Sequence, residues 1–123
     1  MRIFFLSLIC LQASLVQAAI DTTKHVYLLG GKPAGKHWMW SPAPGEYKFF
    51  FEYNDRGRGP KLNSTVQVDQ GGTVVKYEVV GHDYFKSPIL EIYEVKEGIS
   101  KWKNHIEDEQ RPFKENTTYA PLN

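Results

Sequence analysis

The chain has 123 residues, 15 Lys and Arg against 14 Asp and Glu, four histidines and a single cysteine. A nearly neutral balance gives no electrostatic case for nucleic acid or an anionic membrane surface. One cysteine excludes the small disulfide-built secreted scaffolds, and the length suits one small core rather than a large enzyme.

Residues 1–18 read as a secretory signal peptide. "MR" is a short positive start, "IFFLSLICLQASLV" is apolar, and "VQAA" ends it with small residues, placing cleavage after Ala18 with Val16 and Ala18 at the recognition positions. The apolar run is short for a spanning helix and no second one follows. The expectation is export to the periplasm or the extracellular space without a stable membrane anchor. Cys10 lies inside the leader behind the bulky Ile9, a poor lipid-attachment site. Cleavage also removes Arg2, which takes the 15 basic residues to 14, level with the 14 acidic ones.

Beyond the leader, "KHVYLLG" and "GKHWMWS" flank "GGKPAG", a Gly/Pro turn between two strands. "SPAPGE" is a connector in which prolines break any ladder. In "EYKFFFEY" the odd positions Tyr47, Phe49, Phe51 and Tyr53 are aromatic, the signature of a strand with one buried face. "LNSTVQVD" and "TVVKYEVVG" also alternate, and "QGG" between them supplies a tight hairpin. "ILEIYEVKEG" and "ISKWKN" complete the pattern, while "HIEDEQRPFKEN" is polar and lacks an apolar face. These signals predict an all-β domain over residues 19–110, an antiparallel meander of about six or seven strands forming a curled sheet or partly closed barrel. Residues 111–123 read as a polar tail or the start of a following domain.

The chemistry-bearing residues do not assemble into a catalyst. His25, His37, His82 and His105 show no His-x-His or HExxH spacing, so no metal site and no cofactor is assigned. No serine stands in G-x-S-x-G, and the Asp108–Glu109 pair reads as solvated charge. "RGRG" lacks the spacing and the Lys-Ser/Thr of a phosphate-binding loop. No catalytic residue is assigned to this chain, and nucleic acid is not expected as a partner.

Two loops stand out. In "NDRGRGPKL", Asn54 and Asp55 suit local backbone hydrogen bonds, Gly57 and Gly59 permit positive φ, and Arg56 and Arg58 would share one side of an extended segment. In "GHDYFKSP", Asp83, Tyr84 and Lys86 cluster between strands. On one reading an aspartate pairs with an arginine across the loops and pins the rim of the sheet. On the other, Arg56, Arg58 and Lys86 grip a carboxylate or an acidic patch on a partner. The binding candidates are Asp55, Arg56, Arg58, Asp83, Tyr84, Lys86 and Trp102.

"EYNDRGRGPKL", "VVGHDYFKSPILE" and "GISKWKN" together resemble the N-terminal β-rich region of exported bacterial amidohydrolase-family proteins. The matching residues are Asn54 to Pro60, then Gly81, Asp83, Tyr84, Lys86, Pro88 and Glu91, then Gly98, Trp102, Lys103 and Asn104. The resemblance implies that such a segment precedes a metal-dependent hydrolase domain, whose metal ligands are not among the residues here. It implies a non-catalytic accessory domain that docks on a catalytic hydrolase domain or subunit. The alternative is an exported module for an apolar small molecule or lipid, lined by Tyr47, Phe49, Phe51 and Tyr53 with Trp38, Trp40 and Trp102 at the mouth. Asn63 and Asn116 stand in glycosylation sequons.

Overall fold

The computed structural model describes residues 21–115 and 117. The expected leader and the Asn116 sequon therefore lie outside the described residues. The strands are β1 (Thr22–Leu29), β2 (Lys32–Ala43), β3 (Glu46–Tyr53), β4 (Lys61–Val68), β5 (Val74–His82), β6 (Pro88–Lys96), β7 (Ile99–Lys103) and β8 (Asp108–Pro112). All eight form one antiparallel sheet in chain order, each pairing with the next.

The all-β meander is as the alternation predicts, with two corrections. Among the described residues the strands number eight, because the polar "DEQRP" pairs along β7, with Trp102 opposite Glu109 and Lys103 opposite Asp108. A polar edge strand needs only a neighbour's backbone, so it carries no hydrophobic period, and charge plus proline blunts its free side. The sheet is also not closed: β1 and β8 are its two edges. With five residues, the edge strand β8 is too short to offer the eight-residue β1 a full-length partner.

The turns follow residue chemistry. Gly30 and Gly31 adopt φ of 57° and 78° and close β1–β2 as a two-residue hairpin, which needs positive φ at both positions. Between β4 and β5, the Asp69 carboxylate accepts the amides of Gly71 and Thr73, each at 2.9 Å. The "SPAPGE" connector is partly strand, since β2 runs through Pro42 to Ala43 across an irregularity after Trp40. The Ser41 hydroxyl steadies it by donating to the carbonyls of Ala43 and Glu46.

Register assigns every side chain to a face. Face A carries Thr23, Met39, Phe49, Ser64, Val79 and Glu91 in one cross-strand row, and His25, His37, Phe51, Leu62, Gly81 and Ile89 in the next. Face B carries Lys24, Trp38, Phe50, Asn63, Val80 and Leu90 across the same strands. Among the described residues no second layer of strands or helices covers either face. The only buried apolar side chains there are Tyr93, 1 % exposed, and Trp102, 8 % exposed. Tyr93 stacks on Tyr77 with ring centres 5.5 Å apart and lies directly opposite Trp102 in register.

Candidate functional site: a rim of two interlocked loops

The β3–β4 and β5–β6 loops meet at one end of the sheet. The first is a hairpin within a loop. Asp55 and Arg58 exchange both backbone hydrogen bonds, at 2.6 and 3.0 Å, around Arg56 and Gly57 with φ of 54° and 85°. This is the two-residue turn that demands positive φ at both central positions. Its base is held from three sides. The Asn54 amide donates to the Ala34 carbonyl, the Asn54 side chain accepts the Gly57 amide, and the Tyr53 amide donates to the Pro60 carbonyl.

The second loop is built on Asp83. Its carboxylate accepts the amides of Phe85 at 2.8 Å and Ser87 at 2.9 Å. Its backbone carbonyl accepts the Lys86 amide at 3.2 Å, and Lys86 takes a φ of 73°. Such local side-chain bonds are why aspartate recurs in turns.

Four contacts join the loops. The Gly59 amide donates to the Tyr84 carbonyl at 3.0 Å. The Lys86 ammonium donates to the Gly59 carbonyl at 3.1 Å, and the Tyr84 hydroxyl donates to Asp55 Oδ2 at 3.0 Å. The Arg58 guanidinium lies 5.6 Å from the centre of the Tyr84 ring, within the range of cation–π attraction. Gly59 makes this approach possible. It is buried at a φ of 134°, and a Cβ there would run into the Tyr53 carbonyl.

The electrostatics follow from these bonds. The hydrogen bond to Asp55 holds the Tyr84 phenol above the ordinary tyrosine value of 10.0, helped by partial desolvation and opposed by the nearby Arg58 cation. A donor bonded to a carboxylate keeps its proton more firmly than one in water.

Of the candidates read from the sequence, Asp55, Arg56, Arg58, Asp83, Tyr84 and Lys86 come together at this rim. Most of their polar groups are used in bracing. The aspartate–arginine contact is within one loop, Arg56 Nε to Asp55 Oδ1 at 3.7 Å, and the partner across the loops is Tyr84. Because the segment turns instead of extending, Arg56 and Arg58 do not align: Arg56 sits at the tip beside Asp55 and Arg58 covers Tyr84. Arg56 is 88 % exposed in its side chain and Phe85 is 74 % exposed. Phe85 is not among the residues the sequence singles out; its one signal is an aromatic ring set in an otherwise polar loop.

Trp102 lies apart, on β7. Its indole N–H donates to Glu107 Oε2 at 3.2 Å, and the Arg111 guanidinium lies 5.5 Å from its ring centre. A cleft of about 460 Å³ opens here between Tyr93, Trp102, Arg111 and Lys114. Trp102 and the row Tyr47, Phe49, Phe51 and Tyr53 belong to face A, whereas Trp38 and Trp40 belong to face B, so the three tryptophans do not frame one mouth.

The β1–β2 hairpin sets His25 opposite His37, with ring centres 6.0 Å apart, a pairing hidden by their separation in sequence. Among the described residues, no group of three or more His, Cys, Asp or Glu is arranged to hold a metal ion. No described helix is long and apolar enough to cross a membrane. No family model, no curated protein and no solved structure matches the chain.

Proposed function

We propose that this chain is a non-catalytic accessory β-domain that docks on an exported metal-dependent hydrolase domain or subunit through the two-loop rim. The observation that carries the reading is a rigid rim that presents Phe85 and Arg56 to solvent. Asp55, Tyr84, Lys86 and Gly59 are tied to one another behind it. Preorganised aromatic and arginine side chains supply most of the binding energy at protein interfaces, and a braced loop has little entropy left to lose on docking. The resemblance of "NDRGRGP" and "GHDYFKSP" to the N-terminal region of amidohydrolase-family proteins supplies the partner class.

The test reads the coding sequence beyond the codon for Asn123 and through the neighbouring genes. The proposal expects a metal-dependent hydrolase in frame or alongside. Unrelated sequence on both sides contradicts it.

A further inference from the structure

The two faces of the sheet differ in charge. Face B pairs its charges in place: Lys36 with Glu52 at 3.2 Å, Lys61 with Glu52 at 3.9 Å, and Lys76 with Glu94 at 3.7 Å. Its aromatic rings are roofed by lysines, with the Lys36 ammonium 5.1 Å from the Trp38 ring centre and 5.3 Å from that of Phe50. Long side chains laid over rings in this way shield apolar surface while keeping the charge wet.

Over β1–β6 face A has no such cover, although on β7 the Arg111 guanidinium lies over Trp102. In the regularly paired part of β1–β6 it carries no lysine or arginine, and Glu91 is its only carboxylate. Its rings contact each other, Tyr27 edge-on to Phe51 at 5.6 Å and His37 stacked on Phe49 at 6.1 Å. Tyr27, Met39 and Tyr47 remain exposed on it, as Val26, Trp38 and Leu90 do on face B, so the two faces differ in charge rather than in exposure. Stable domains bury such a face against a second layer, and none is supplied by the described residues.

We propose that face A is covered by face A of a second copy of this chain, two single-layer sheets packing into a β-sandwich homodimer. Dimensions, charge and topology each favour that occupant. Strands about 4.8 Å apart with a rise of about 3.3 Å per residue give the β1–β6 face roughly 750 Å², so a face-to-face pair buries roughly 1,500 Å². That falls within the range of about 1,200–2,000 Å² typical of specific complexes. A face this poor in charge can meet its own image without like-charge repulsion, and it offers no charge pattern to select a different partner. A two-fold axis makes the contact isologous and closed. Sheets packed in this way interleave their inner side chains about 10 Å apart. The two-loop rim lies at the strand ends, outside the sandwich, so this inference stands or falls independently of the docking reading.

Sedimentation equilibrium on the protein recovered from its producing cell, over a wide concentration range, tests it. The wild type sediments at twice the chain mass. Met39→Glu puts an unpaired carboxylate into the interface from both copies and weakens self-association by about a hundredfold or more, with the far-UV spectrum unchanged. Thr65→Glu, on face B, leaves the dimer intact. If Met39→Glu loses its strand spectrum, Tyr47→Glu is read in its place. A wild type that stays monomeric throughout overturns the proposal. So does a dimer that survives both substitutions, or a different protein bound on face A.

Discussion

Replacing Gly59 by alanine probes the interlock at its tightest point. Gly59 is buried at a φ of 134°, its amide bonds the Tyr84 carbonyl at 3.0 Å, and a new Cβ would sit 2.7 Å from the Tyr53 carbonyl carbon. A non-glycine residue in such a conformation costs about 1–3 kcal/mol. Relief of the overlap moves a backbone that also carries the Tyr53–Pro60 hydrogen bond, and each hydrogen bond lost costs about 1 kcal/mol more. The sum is about 3–5 kcal/mol, a large share of the roughly 5–15 kcal/mol that holds a typical domain together. At about 4–8 °C per kcal/mol for a domain near this size, Tm falls by more than about 12 °C. Gly57→Ala is the internal control. It has a φ of 85° but no atom within 4 Å of where a Cβ would stand, so it costs only about 1–2 kcal/mol. Thermal unfolding followed by circular dichroism compares the two variants. Equal shifts, or a larger one for Gly57→Ala, would show that the interlock is not where the strain falls.

Three further outcomes are expected. The raised Tyr84 phenol gives the neutral brace a stability contribution that is fully present below the ordinary value of 10.0 and lost as pH rises through the higher folded value; urea midpoints across alkaline pH should fall there, and Tyr84→Phe should flatten that limb. Tyr93→Ala removes the most buried ring and should cost about 3–5 kcal/mol by denaturant melts. Phe85→Ala, at a side chain already in solvent, should stay within about 0.5 kcal/mol while abolishing docking.

What the residues alone disclose depends on the element. The aromatic odd positions of β3 do share one face, because a two-residue period survives any neighbour. The Gly and Asp positions of the loops announce turns, and Gly57 and Gly59 do take positive φ. The bonds that join the loops are not readable, since Tyr84 and Asp55 are distant in sequence and meet only through the register of β4 and β5. β8 escapes because a polar edge strand has no hydrophobic period, and its pairing depends on β7 alone. Nothing in the alternation separates Tyr93 from Tyr77, although only Tyr93 is fully buried. That β8 stops at five residues against eight in β1 is likewise not encoded in the alternation.

Docking through the two-loop rim is best tested by photocrosslinking in the producing cell from a reactive amino acid placed at position 85, with the product identified by mass spectrometry. One dominant product containing a metal-dependent hydrolase is expected, lost when Arg56→Glu is added. No product at all, or the same product from a reactive group at face-B position 65, would rule that docking out.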